Sequence, residues 1–285
     1  LPRDVVLPTS FETIGHVAHL NLREQHGPHK ALIGAVLLDK CPQIRTVVNK
    51  CASISSTFRT FSMELLAGDP DLDVAVHESG TTLCFNFGEV FWNSRLQNEH
   101  RRILGLIQPG EVVVDVFAGA GPFAVPAAKH RGAFVFANDL NPAAAQCLKA
   151  NSIQNKVPPD SLIVSNEDGR DFLRGLADQQ VQPNHILMNL PELAPDFLPV
   201  LWGFQSRPDR ELAVKGHVMH VHCYCFSNAE DPRGDAVRRV AAALGVPTDL
   251  LQVDEAHVVR SVAVGKEMVC VSFRMPLPSA ASPRE

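Results

Sequence analysis

At 285 residues, with 45% hydrophobic and 20% charged side chains, the chain is long enough for one large core or two smaller ones, and two domains are expected. A formal charge of −5 excludes a generic nucleic-acid coat, because phosphate neutralisation needs a positive surface, yet it leaves room for a local basic patch. No apolar run approaches the ~20 residues that cross a bilayer, and "LPRDVVLPTS" lacks the basic start and apolar stretch of a secretory signal.

Seven cysteines, an odd number, are scattered along the chain and suit buried thiols in a reducing compartment better than a disulfide framework. An intracellular monomer that needs no membrane is expected, with the cytoplasm as its compartment and the mitochondrial matrix and nucleus as further ones.

Residues 1–100 read as an α+β domain. "IGHVAHLNL" and "IRTVVNK" are strand-like, and "GPHKALIGAVLLDK" between them has apolar residues at helical spacing. His16 and His19 fall in the first of these, where a strand without metal is preferred. "MELLAGDPDLDVAVHESGTTLCFNFGEVFW" alternates apolar and polar residues around "GDPD" and "ESG", which predicts antiparallel hairpins at both turns. "RLQNEHRRILGLIQPG" predicts a helix ending before Pro109-Gly110.

Residues 101–285 then alternate strand and helix: "VVVDVF", "PFAVPAAKH", "AFVFANDL", "PAAAQCLKANSIQ", "SLIVSNED", "RDFLRGL", "HILMNLP", "APDFLPVLWGF" and "HVMHVHCYCF". That rhythm predicts a doubly wound sheet, parallel in its first five strands. "HVVRSVAVGKEMVCVSFRM" predicts a closing antiparallel hairpin, making seven strands of a Rossmann-like fold, and "PLPSAASPRE" a frayed tail. In "HVMHVHCYCF" the histidines and cysteines look metal-like, but alternation puts His220, His222 and Tyr224 on one strand face and Val221, Cys223 and Cys225 on the other, so a core strand is expected and no metal.

The chemistry gathers at "VVVDVFAGAGPFAVPAA". Gly119, Gly121 and Ala124 satisfy the loose G-x-G-x-x-G/A pattern, and Asp139 follows Gly119 by 20 residues, where a carboxylate can accept ribose hydroxyls. No Lys-Ser/Thr pair follows the glycines, so a phosphate-cradling P-loop is excluded. A dinucleotide is allowed, but Asp115 at the end of the first strand would face its pyrophosphate, whereas it would pair with an ammonium. S-adenosylmethionine carries an ammonium, a ribose and an adenine. Asp115 with the backbone of Gly119 and Gly121 takes its methionine end, Asp139 its ribose, and Asp168-Gly169 its adenine edge; each acid also has the bland reading of a helix cap. Asn189 to Pro191 in "MNLPEL" present an amide and a carbonyl at the crevice rim, where the edge of a base that receives a methyl group is gripped.

Together the strings "GHVAHLNLRE", "HKALIGAVLLDK", "TVVNK", "FRTFSMELLAGD", "FWNSRLQNEH", "DVFAGAGPFAVPAAK", "NDLNP", "EDGRDF", "MNLPELAPDFL" and "GKEMVCVSF" resemble the archaeal and eukaryotic type of tRNA (guanine-37-N1)-methyltransferase over nearly the whole chain. The resemblance implies a class I methyltransferase domain behind a smaller α+β domain, with S-adenosylmethionine as methyl donor and the tRNA anticodon loop as substrate. It implies Glu99 as general base, Arg59 as the cation on guanine O6, and Asn189 holding the base edge. His100, Phe117, Asp139, Leu140, Asp168, Gly169 and Pro191 would line the cofactor site, and Phe91, Arg95 and Arg101 would meet the substrate. Guanine N1 carries a proton, so attack on a methyl group needs a carboxylate to remove it and a cation for the charge gathering on O6. Without the resemblance, Glu99 is a favourable contact at a helix start and the arginines around it are a solvated face.

The family commonly has Tyr and Pro where this chain has Phe91 and Ser94, which removes a phenol hydroxyl but keeps a ring able to lie under a flipped base. The family's additional N-terminal tRNA-binding domain is expected to be lacking. Rival readings are aminocarboxypropyl transfer from the same cofactor to a tRNA wybutosine precursor, an inactive tRNA-binding relative, and an NAD-dependent oxidoreductase. "NLP" and "SRLQNE" favour methyl transfer over the first.

Overall fold

The structure, a computed structural model, describes residues 10–51, 62–205 and 217–276 together with Val5 and Pro8. Its front part is a four-stranded sheet. Strands β1 (Glu12–Ile14) and β2 (Val17–Leu20) turn antiparallel about Gly15, whose φ of +56° suits glycine. A 3-10 segment Glu24–His29 and helix α1 (Lys30–Lys40) then carry the chain to β3 (Thr46–Lys50), parallel to β2, and β4 (Met63–Gly68) pairs antiparallel with β3. Helix α1 lies close on this sheet: a Cβ at Gly34 would stand 2.9 Å from the Cβ of Ala67, so only glycine allows the approach. Ala18, Leu20, Ile33, Ile44 and Val47 fill the small core between them.

Strands β5 (Asp73–Glu78) and β6 (Thr81–Asn86) form a separate hairpin. Its turn residues Ser79 and Gly80 have φ of +48° and +69°, the two positive angles a type I′ turn needs. The hairpin expected at "ESG" is therefore present, but the one expected at "GDPD" is not. Alternation identifies β4 and β5 as strands without fixing partners, and β4 finds its own on β3, leaving residues 69–72 as a link between sheets. The outer edge of β6 does not face solvent. The Asn151 amide oxygen accepts the N–H of Cys84 at 2.8 Å, and the Asn155 amide accepts from Thr82 N–H at 2.9 Å and donates to its carbonyl at 2.7 Å.

Helix α2 (Gln97–Leu106) leads into the large sheet, which comprises β7 (Val112–Asp115), β8 (Phe134–Asn138), β9 (Leu162–Ser165), β10 (His185–Met188), β11 (His220–Ser227), β12 (Val253–Ala263) and β13 (Lys266–Arg274). Their spatial order is β12-β13-β11-β10-β7-β8-β9, with the first five in sequence parallel and β13 antiparallel to both β11 and β12. Helices α3 (Ala124–Arg131) and α4 (Pro142–Gln154) cover one face; α5 (Gly169–Asp178) and α6 (Pro232–Leu244) cover the other. Residues Ala194–Phe204, with Pro195 and Pro199, run as a long 3-10 segment instead of an α-helix, because each proline removes an N–H donor.

Two sheet-wide cores result. One joins the hairpin, α2, α3 and α4 through residues such as Leu83, Ile103 and Leu148; the other joins α5, α6 and β11 through Leu173, Val240 and Cys223. Tyr224 belongs to the first core face and Val221, Cys223 and Cys225 to the second, as the alternation of "HVHCYC" predicts. The strand order reverses at β7, which has β8 on one side and β10 on the other. A crevice opens there beyond the carboxyl ends of the strands, where open α/β sheets hold their ligands.

Candidate active site

A cavity of about 640 Å³ occupies this crevice. Its floor is the turn after β7. The chain leaves the sheet through Val116, whose N–H reaches the Leu187 carbonyl at 3.0 Å, and Ala118 N–H reaches the Asn138 carbonyl at 2.8 Å. Gly119 (φ +55°) and Gly121 (φ +96°) make the tight bend. They do different work. Gly119 lines the cavity and its N–H donates to Asp139 at 2.8 Å, whereas Gly121 is absent from the lining: a Cβ on it would lie 2.4 Å from Leu148 Cδ1 and 2.8 Å from Val125 Cγ2. Gly121 thus serves the packing of α3 and α4.

Asp139 follows β8 and joins the wall with Leu140. Its two oxygens accept the N–H groups of Gly119 (2.8 Å) and Asn141 (2.9 Å), so the carboxylate fixes the two loops to each other and keeps lone pairs free for a ligand. Burial pushes its pKa up, against the two amides. Asp168 caps α5 through Arg170 N–H at 2.8 Å while lining the cavity, so the cap and cavity readings hold at once. Beside it a Cβ on Gly169 would meet Val116 at 2.9 Å and Phe197 at 3.0 Å, which keeps this wall flat. Phe117 and Phe197 pack edge to face with centroids 5.0 Å apart, and both line the cavity with Asn189, Leu190 and Pro191.

Asp115 lies under the glycine turn, fully buried, and does not line the cavity. Neither carboxylate oxygen has a partner in good hydrogen-bond geometry; burial and then the nearby Asp139 charge push its pKa up to about 8, against the Phe117 backbone N–H, which favours the anion. A buried acid with so little donor support is costly as an anion, which favours its protonated form at neutral pH. The expected direct pairing of Asp115 with a ligand ammonium is therefore corrected to an acid one layer below the floor, because the bend at Phe117–Ala120 covers it.

The roof comes from the front part: Lys50 at the end of β3, the Val90–Asn93 loop, Leu96, and His100 on α2. His100 is almost fully buried, and its Nδ1 meets Glu78 Oε1 at 2.5 Å, while its ring sits edge-on to Phe123 at 4.7 Å. Phe91 is exposed and lines the mouth.

Glu99 departs from expectation. It is 3% exposed, outside the lining, and bound on all sides. Arg102 donates to it twice at 2.7 Å, Tyr224 O–H donates at 2.7 Å, and His257 stands 3.7 Å away. Burial pushes its pKa up, but Arg102, Tyr224 and His257 outweigh that and hold it below the usual carboxylate range. The physical reason for the displacement is helical phase: His100 points into the cavity, so its neighbour turns toward β11 and β12. Arg95 is paired with Glu12 at 2.6 Å, Arg101 is exposed, and neither lines the cavity. Arg59 lies outside the described residues.

Sequence reasoning gave no role to Lys50, Arg260 and Lys266, which line the mouth, or to Tyr224. Tyr224 is the only tyrosine in the chain, a signal that was available; the basic trio has none, since its members meet only in three dimensions.

Residues 74–222 match the family described as the TRM5/TYW2 methyltransferase domain, and residues 1–71 match the TYW2 N-terminal domain. The second match overturns the expected lack of an N-terminal domain: strings such as "GHVAHLNLRE" and "HKALIGAVLLDK" belong to that domain, folded here as the four-stranded sheet and α1. A tRNA (guanine(37)-N(1))-methyltransferase of Phytophthora infestans is 49% identical over 97% of this chain and 65% of its own length, and one of Coprinopsis cinerea is 40% identical over 94% and 69%. The chain thus spans less than two thirds of the first of these relatives. The crystal structure of wild-type Trm5b from Pyrococcus abyssi superposes with a TM-score of 0.76 at 28% identity, covering 95% of this chain and 79% of that one. The sheet order, the cavity at its reversal point and these matches agree: the chain belongs to the TRM5/TYW2 methyltransferase family.

Proposed function

We propose that the protein transfers a methyl group from S-adenosylmethionine to N1 of the guanine 3′ of the anticodon, position 37, in tRNA. The observation that carries this reading is the cavity at the β7 reversal point, with an unpartnered buried acid beneath a glycine turn and carboxylates after two successive strands. The names of the relatives supply the base and the atom. When bound, S-adenosylmethionine supplies an electrophilic methyl carbon on a positive sulfur.

The chain's own residues do the rest. Asp139 offers its remaining lone pairs to ribose hydroxyls, and Asp168 with flat Gly169 faces the adenine. Asp115, one layer below the floor, would be the acid that loses its proton when a cation is held above the turn, which would couple binding to proton release. Asn189 holds the edge of the flipped base, and Phe91 lies beneath it. Arg59 balances charge on O6. Glu99 takes the N1 proton after exchanging Arg102 and Tyr224 for the substrate, a rearrangement that tRNA binding must drive. Close approach of N1 to the methyl carbon contributes through orientation.

The test is nucleoside mass spectrometry of an unmodified tRNA transcript incubated with the protein and S-adenosylmethionine. 1-Methylguanosine at position 37 is the expected product; an aminocarboxypropyl nucleoside, or none, overturns the assignment.

A further inference from the structure

The cavity wall carries charge of both signs in a chain of net charge −5. Asp139, Asp168 with Arg170, and Glu192 follow the strands of the large sheet, while Lys50 comes from the end of β3 and Arg260 and Lys266 from the β12–β13 hairpin. Arg260 sits near the tip of the β12–β13 hairpin, one residue-pair beyond a register shift, and Lys266 begins β13 beside it. A register shift re-aims side chains, and here Arg260 and Val262 both reach the cavity wall.

Arg260 donates to the Asn93 amide oxygen at 3.1 Å and to the Ser261 carbonyl at 3.1 Å, both neutral acceptors. The nearest acid, Glu12, is already paired with Arg95 at 2.6 Å. Burial lowers the Arg260 pKa, and the Arg95 charge lowers it further. Lys266 Nζ lies over the Phe226 ring, 4.3 Å from its centre, another cation without a full counter-charge in that contact. An edge strand often carries cations simply to block strand pairing, but those point to solvent. Arg260 instead crosses to the front part and lines the cavity, with the Arg95 charge near it but outside the lining. Glu12 offsets part of this repulsion for both arginines, and Arg260, which has only neutral hydrogen-bond acceptors, is stabilised further by an anion on the cavity side.

We propose that Arg260, assisted by Lys266, forms an anion site at the cavity mouth that takes the phosphodiester groups flanking the target base. The site rests on the reading that the substrate is an RNA. Phosphate contacts of this kind fix the register of a nucleic acid without reading its sequence. The hairpin would then hold the strand while the crevice receives the base.

The test compares Arg260→Gln and Arg260→Lys with the parent protein, measuring binding of an unmodified tRNA transcript across a salt series and S-adenosylmethionine binding by calorimetry. For Arg260→Gln, tRNA affinity should fall about fivefold, and the log–log salt slope should lose about 0.7, the value for one single-strand phosphate contact. Arg260→Lys should keep the slope, and both variants should bind the cofactor as the parent does. An unchanged slope in Arg260→Gln overturns the proposal. So does an equal loss of slope in both variants, or a parallel loss of cofactor affinity, since each would mark a structural contact with Asn93. Binding is read without turnover, so a parent protein that binds tRNA with the expected slope but makes no 1-methylguanosine would sink the reaction proposed above and leave the phosphate site standing.

Discussion

Replacing Glu99 by glutamine removes one charge and converts one acceptor into a donor, in a pocket where every neighbour is already a donor. Placed where Oε2 stands, the new amide keeps the two bonds at Oε1, from Arg102 Nη2 and Tyr224 O–H, but sets an N–H against Arg102 Nε. Stranding a buried ion altogether costs about 3–5 kcal/mol; Arg102 loses less, because Glu255 still holds its Nη1 at 2.7 Å. A loss of about 2 kcal/mol follows, which for a chain of this size lowers Tm by roughly 4–8 °C. On the proposed role of Glu99 as general base, its loss should also slow the proposed methyl transfer by on the order of 10²-fold or more at saturating cofactor. The two effects are read separately, by thermal unfolding and by single-turnover methylation. An unchanged Tm would refute the ion-pair account, and an unchanged rate would refute the base. There is a pH signature as well. The native Glu99 pKa is depressed, so its contribution to stability is present above the ordinary 4.5 and is lost as pH falls through the native value. Melting of Glu99→Gln should lack that acid-side component.

Asp115 carries the opposite sign. Its native pKa of about 8 lies above the ordinary 3.8, so it lowers stability progressively as pH rises between the two values; Asp115→Asn should melt higher than the parent at pH 8 and lose the proton release on cofactor binding, checked by calorimetry in two buffers of different ionisation enthalpy. His185 and His222 form a buried chain, His185 to His222 at 2.9 Å and His222 to Ser272 at 2.8 Å, and burial lowers both pKa values. Stability from this chain is full above the ordinary 6.5 and is lost as pH falls below it, so urea midpoints should drop between pH 7.5 and 5.5, with a smaller drop in His222→Gln. Gly121→Ala should cost about 3 kcal/mol from strain and the Leu148 clash, against about 1 for Gly119→Ala, where nothing lies within 4 Å of the added carbon; equal losses by chemical denaturation would contradict the division of labour between the two glycines.

Much of the rear sheet was legible because its signals are local. Val112–Asp115 followed by a glycine turn, and Asp139 and Asp168 placed directly after strands, need no knowledge of partners to be read as crevice residues. Pairing and depth were not legible. The strand character of β4 was evident, but alternation does not say whether it pairs with the strand before it or the one after it, and it pairs with β3. The same holds at the site. Adjacent residues His100 and Glu99 looked equally suited to the cavity, and only the phase of α2 against β11 sends one ring inward and the other side chain toward Tyr224. Arg260 was invisible for a related reason: its place on the cavity wall follows a register shift in β12, which alternation cannot locate.

Asn151 on α4 and Asn155 at its C-cap, which satisfy Cys84 and Thr82, act as a surrogate strand for β6. Without them a six-residue ribbon with two threonines and a phenylalanine would present open peptide groups to any extended chain nearby, including another copy of itself. Side-chain amides cannot propagate a ladder, so the ribbon is terminated and cannot serve as a template for fibril growth. Because Glu78 at the end of β5 also grips His100, this termination ties the histidine, through the hairpin, to the same helix that underlies the glycine bend.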